Sequence, residues 1–115
     1  MNIKRLKVGP RMSQVVVHGD IVFMAGQIAE DGKQDILGQT QQILSKIDSL
    51  LGEAGTEKSK ILKATIWLAD ISDFDAMNSV WDSWVDQSNP PVRACVEGKL
   101  AFPDLKVEIM IEAAR

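Results

Sequence analysis

Two stretches in the last quarter of the chain constrain its folding most, because each sets an apolar residue at every second position. They are Pro91-Val92-Arg93-Ala94-Cys95-Val96 and Lys106-Val107-Glu108-Ile109-Met110-Ile111. Side chains along a strand point to opposite faces in turn. Val92, Ala94 and Val96 therefore share one face, with Arg93, Cys95 and Glu97 on the other. Val107, Ile109 and Ile111 likewise oppose Glu108, Met110 and Glu112. Gly98 and Pro103 in the connector suit a loop between neighbouring strands. If the two apolar faces meet one core, Arg93, Cys95 and Glu108 project together from the opposite side. An arginine and a carboxylate so placed make either a site or a structural ion pair. Spacing alone favours the ion pair, with Glu108 or Glu97 as the partner.

The rest of the chain alternates between the two periodicities. Ile3 to Val8 alternates weakly, as an edge strand would, and Gly9-Pro10 breaks it. Val15-Val16-Val17 and Ile21 to Ala25 flank His18-Gly19-Asp20, whose turn chemistry predicts a hairpin. Their unbroken apolar character predicts cover on both faces, helices on one side and a partner subunit on the other. From Ile36 the spacing turns helical: Ile36, Leu37, Thr40, Ile43, Leu44, Ile47, Leu50 and Leu51 form one stripe. Asp35 is the expected N-cap, and Gly52 or Gly55 the end. Ile61 to Leu68 reads as a strand, although Lys60 to Ala64 could continue helically. Ser72 or Asp73 can cap a second helix carrying Phe74, Met77, Trp81, Trp84 and Val85 inward. Asn89-Pro90-Pro91 then feeds the strand holding Arg93. The expected architecture is α+β: a mixed sheet with two helices on one face, the strand after the first helix lying parallel to the hairpin strand before it.

Composition narrows the function classes. A chain of 115 residues with 45% apolar and 25% charged side chains fits one globular domain spanning residues 1–115. No apolar run reaches membrane-spanning length, and the first residues lack the apolar block of a signal peptide, so a cytoplasmic location is expected. Cys95 is the one cysteine, which excludes an internal disulfide and gives no metal-ligand spacing. His18 is the one histidine, which removes most histidine-based catalytic arrangements. A net charge of −3 argues against a nucleic-acid-binding face, despite Lys4, Arg5, Lys7 and Arg11.

Each candidate side chain has a functional and a plain meaning. Arg93 could clamp a substrate carboxylate, since a guanidinium offers two parallel donors to two oxygens. Glu108 could position or deprotonate a water; its plain role is a paired strand carboxylate at a subunit contact. Cys95 lacks a nearby base and reads best as a small buried residue rather than a nucleophile. Asn78, one position after Met77, faces solvent or the sheet edge. The tryptophans at 67, 81 and 84 fit core positions, and His18 an exposed turn.

Several segments together resemble the Rid family (YjgF/YER/UK) of small imine deaminases, over nearly the whole chain. They are Gly9-Pro10 followed by Ser13-Gln14, Val22 to Ile28, the helix from Gln39 to Ala54, Asp73-Phe74 with Met77-Asn78, Pro91 to Val96, and Lys106 to Ile109. The resemblance implies a chorismate-mutase-like fold and a homotrimer with sites in clefts between subunits. It implies that Arg93 grips the carboxylate of a 2-imino acid and that Glu108 orients the attacking water, giving a 2-oxo acid and ammonia. Cys95, Asn78 and the backbone at Gly26 would line the pocket; neither metal nor organic cofactor is implied, and no nucleic-acid or membrane partner. One departure stands out. The family commonly carries Gly-Pro-Tyr-Ser-Gln, whereas this chain reads Gly9-Pro10-Arg11-Met12-Ser13-Gln14, one residue longer, and contains no tyrosine. Met12 or Arg11 must then form that pocket wall, and in this departure the chain resembles the divergent YoaB-like branch of the family. Two rival functions follow: a trimeric small-carboxylate-binding module without catalysis, and an endoribonuclease or translation inhibitor.

Overall fold

The computed structural model describes residues 2–115. In chain order the elements are β1 (Ile3–Val8), β2 (Ser13–His18), β3 (Ile21–Met24), α1 (Ile36–Glu53), β4 (Ile61–Leu68), α2 (Phe74–Trp84), β5 (Val92–Glu97) and β6 (Val107–Ala114). The strands form one mixed sheet in the order β1-β2-β3-β6-β4-β5, with β4 and β5 parallel and every other pair antiparallel. The expected mixed sheet with two helices on one face is what the chain builds.

The local signals explain most of these elements. Gly19, with φ of 61°, makes the tight turn between β2 and β3, a conformation that costs a side-chain-bearing residue more. Asp35 caps α1 by accepting a hydrogen bond from Gly38 N at 2.8 Å. Gly55, with φ of 80°, follows the end of that helix in the left-handed region, so it rather than Gly52 marks the stop. The stripe of α1 buries Ile43, Leu44, Ile47, Leu50 and Leu51, while Leu37 stays exposed. At α2 the expected caps give way to another. Asp73 holds the N-cap position without a side-chain bond. Asp70 instead caps the preceding 3-10 turn, accepting from Ser72 N at 2.9 Å and Ser72 Oγ at 2.7 Å.

The core lies between the helices and one sheet face. Val15, Val17, Val22, Met24, Ala64, Ile66, Leu68, Val107, Ile109 and Ile111 meet Ile43, Ile47 and Leu51 of α1 and Met77 and Trp81 of α2. Burying one such large aliphatic side chain stabilises the fold by about 1.5–3 kcal/mol. The other sheet face has no helix over it. Phe23, Val92, Val96 and Met110 stand there, 40–70% exposed.

Two expectations need correction. First, β5 and β6 are not neighbours, because β4 lies between them. Second, Val92, Ala94 and Val96 do not face the core shared by Val107, Ile109 and Ile111. Paired residues on adjacent strands share a face, and Ala64 and Ile66 pair with Arg93 and Cys95 on one side and with Ile111 and Ile109 on the other. Arg93 and Cys95 therefore lie on the helix side. Glu108, paired with Trp67, lies on the open side. Alternation told the two faces of β5 apart but not which of them the helices cover.

Candidate functional site

Arg93 extends from edge strand β5 toward α2. Its Nη1 donates to Asn78 Oδ1 at 2.7 Å, and its guanidinium carbon lies 5.4 Å from the centre of the Trp81 ring and 5.9 Å from that of Phe74. All three partners belong to one helix, at positions 74, 78 and 81, spacings that share a helical face. Neither carboxylate expected to pair with Arg93 does so. Glu97 accepts a hydrogen bond from Ile71 N at 3.0 Å, and Glu108 is on the other side of the sheet. Among the described residues the salt bridges join Lys7 to Glu53, Lys46 to Glu30 and Lys63 to Glu112. The guanidinium is thus half-buried, held in place, and without an anionic partner.

Cys95, two residues along β5, points the same way and packs against the core. Burial raises its thiol pKa, an effect the positive charge of Arg93 only partly offsets. At neutral pH it is a protonated thiol, which suits a pocket lining and not a nucleophile.

Glu108 belongs to a second group of residues around Gly26. Gln27 and Ile109 bridge backbone to backbone, Gln27 N to Ile109 O at 2.8 Å and Ile109 N to Gln27 O at 3.1 Å. That bridge sets Gly26 against Glu108: a β-carbon at Gly26 would collide with Glu108 Oε2. The carboxylate thus occupies space that only glycine leaves free. Partial burial raises the Glu108 pKa from its ordinary value. The side chain of Gln27, almost fully buried, donates to Gln14 Oε1 and to Ala25 O, both at 2.9 Å. Gln14 in turn borders a hollow of about 390 Å³ formed with Val8, Pro10, Arg11 and Met12. Met12 is 56% exposed, and the loop that carries it is closed by Gly9 N donating to Met12 O at 2.8 Å.

The six residues singled out in the sequence therefore fall into two sets. Arg93, Cys95 and Asn78 gather under α2; Glu108 and Gly26 lie on the open side, linked through Gln27 and Gln14 to the loop of Met12. Sequence reading missed the Trp81 and Phe74 contacts to Arg93; the three-residue and four-residue spacings to Asn78 were the signal. It also missed the buried Gln27, which no spacing marks, and Gln39, which lies three residues after Ile36 and four before Ile43 on the buried stripe of α1. Among the described residues no three histidine, cysteine or carboxylate side chains gather to hold a metal ion. No helix there is long and apolar enough to cross a membrane.

Comparison with known proteins decides the family. Residues 2–115 match the family model described as Endoribonuclease L-PSP. A RutC family protein of Haemophilus ducreyi is 46% identical over 112 residues, covering 97% of this chain and 96% of that one. The RutC family protein YoaB of Escherichia coli is 44% identical over 114 residues, 99% of each chain. The chain belongs to the Rid/YjgF family. Its fold agrees with that of solved members. NMB1025 of Neisseria meningitidis, titled a member of the YjgF protein family, superimposes with a TM-score of 0.97 at 40% identity, covering 100% of this chain and 96% of that one. A protein of Pseudomonas aeruginosa does so with a TM-score of 0.96 at 38% identity, over 99% of each chain. The resemblance read from the sequence, including the likeness to YoaB, holds for this Rid/YjgF chain throughout its length.

Proposed function

We propose that this Rid/YjgF protein is a hydrolytic deaminase of small 2-imino acids, with Arg93 gripping the substrate carboxylate and Glu108 activating water. The observation that carries the reading is the Arg93 guanidinium, fixed by Asn78 and two aromatic rings yet lacking any carboxylate of its own. A guanidinium in that state is prepared for a planar anion.

Since Arg93 and Glu108 leave opposite sides of the sheet, one protomer cannot present both to one small molecule. The site is shared between copies: Arg93, Asn78 and Cys95 come from one protomer, Glu108, Gly26 and Met12 from its neighbour, within a homotrimer. The apolar side chains on the open sheet face support such an assembly, since faces of this kind mark interfaces.

In the reaction, Glu108 accepts a proton from water as its oxygen bonds to the imine carbon, and hands that proton to the imine nitrogen to give a neutral carbinolamine. Glu108 then takes the hydroxyl proton as the oxygen becomes the carbonyl of a 2-oxo acid and delivers it to the nitrogen, so that the carbon–nitrogen bond breaks and ammonia leaves. The imine carbon is already electrophilic, so orientation and placed charges supply most of the acceleration.

The test is release of 2-oxobutanoate from 2-iminobutanoate generated in situ by a dehydratase. Turnover above buffer, abolished by Arg93→Ala, is expected. Tight calorimetric binding of 2-oxobutanoate without turnover would instead support a carboxylate-binding module, a reading favoured by Met12 standing where the family commonly has a tyrosine. Cleavage of added RNA would favour the ribonuclease named in the family description; the net charge of −3 leads us to expect intact RNA.

A further inference from the structure

We propose that Trp81 and Phe74 are positioning residues for the Arg93 guanidinium, an inference that rests on Arg93 being the carboxylate clamp. A guanidinium within about 6 Å of an aromatic centroid is attracted by the ring's quadrupole. Both rings meet that distance, at 5.4 Å for Trp81 and 5.9 Å for Phe74. Asn78 Oδ1 takes up Nη1 at 2.7 Å. Two rings and one amide oxygen therefore hold a group that has three nitrogens, which leaves N–H donors available to an incoming carboxylate.

The rings themselves are held. Trp81 is 5% exposed and lies at 53° to Trp84, their centroids 5.4 Å apart. Trp84 Nε1 donates to Asp48 Oδ2 of α1 at 3.0 Å, and Lys58 Nζ donates to Trp84 O at 2.7 Å. A chain of contacts thus runs from α1 through Trp84 and Trp81 to Arg93, so the packing of the two helices sets where the guanidinium sits. Arginine is otherwise a long, mobile side chain, and fixing it in advance removes much of the ordering cost of binding an anion. The rings do this without adding a negative charge that would compete with the substrate, as an aspartate or glutamate partner would. That explains why an arginine facing a helix is met by aromatic and amide groups rather than by an ion pair.

The experiment compares Trp81→Leu and Phe74→Leu with the ring-keeping Trp81→Phe and Phe74→Tyr, by kinetics on 2-iminobutanoate and calorimetry with 2-oxobutanoate. Phe74 is 37% exposed, so its leucine variant keeps the fold even if loss of the buried indole does not. The leucine variants are expected to raise KM and Kd by about 2- to 30-fold, with kcat changed little, as for loss of binding common to ground and transition states. The ring-keeping variants should recover most of that loss. A purely packing role would lower Tm without moving KM or Kd. Folded leucine variants with wild-type KM and Kd, or ring-keeping variants as impaired as the leucine ones, overturn the proposal. Should the wild type take neither compound, the deaminase reading falls. Nitrogen-15 relaxation at Arg93 Nε then decides: greater mobility in the leucine variants supports positioning, and unchanged mobility overturns it.

Discussion

Arg93 and Glu108 leave opposite faces of the same sheet, Arg93 beside Ala64 beneath α2 and Glu108 beside Trp67 on the uncovered side. A site using both must borrow one of them from another copy. Arg93→Ala and Glu108→Gln are each expected to be inactive alone. Unfolded together and refolded, they should regain roughly a quarter of wild-type activity, the fraction of interfaces in a cyclic trimer that join an intact arginine to an intact glutamate. Sedimentation of the wild type should give three times the mass of the chain. No recovery on mixing, or a monomer, counts against a shared site.

Gly26→Ala is expected to abolish most turnover while leaving the melting temperature within a few degrees of wild type. The added methyl would meet the far end of the Glu108 side chain, which can swing aside cheaply. In the proposed mechanism it loses the position from which Glu108 addresses water. Calorimetric affinity for 2-oxobutanoate, which that mechanism assigns to Arg93, should fall far less than kcat.

The pH profile should show its acid limb above the ordinary glutamate range, because burial raises the Glu108 pKa. In the proposed mechanism the water-activating form is the carboxylate, so turnover should rise with pH through that raised value. Stability runs the other way. The same shift contributes fully below the ordinary value of 4.5 and is lost as pH rises through the raised one. Initial rates of the wild type across pH read the first effect, and chemical denaturation across pH reads the second, which Glu108→Gln should remove.

Gln39→Leu is expected to destabilise the protein by about 2–4 kcal/mol in urea titrations, with several polar groups left unpaired in the interior. Gln39 is fully buried. Its amide nitrogen donates to Gln34 O and Asp104 O, both at 3.0 Å, and its Oε1 accepts from Lys106 N at 2.9 Å. It fastens the start of α1 to the loop that leads into β6.

Much of this was legible before any coordinates. The helical stripe from Ile36, the hairpin about Gly19 and the edge strand from Ile3 to Val8 each follow from local spacing and turn chemistry, which act within a few residues. The face on which Arg93 lies does not follow from such rules. Val92, Ala94 and Val96 look like core residues because they are apolar, yet they line the side without helices. A sequence records that a surface avoids water without recording what covers it. Gln27 and Gln39 were hidden for the opposite reason: polar residues at buried positions are justified only by distant partners. The family resemblance, not the spacing, put Glu108 and Gly26 side by side, and the structure shows that only glycine leaves room for that carboxylate.

The position of β6 has a consequence for how the chain can fold. It is the latest strand in the sequence, yet it lies between β3 and β4, so it alone joins the meander β1-β2-β3 to the parallel pair β4-β5. During synthesis both halves can form locally, but their inner edges stay open until residues 107–114 arrive to fill the gap. For that interval each half exposes unpaired backbone, the state most prone to aggregate. Closure of the sheet therefore waits on the sixth strand to be made, and nascent chains halted before it are natural clients for chaperones.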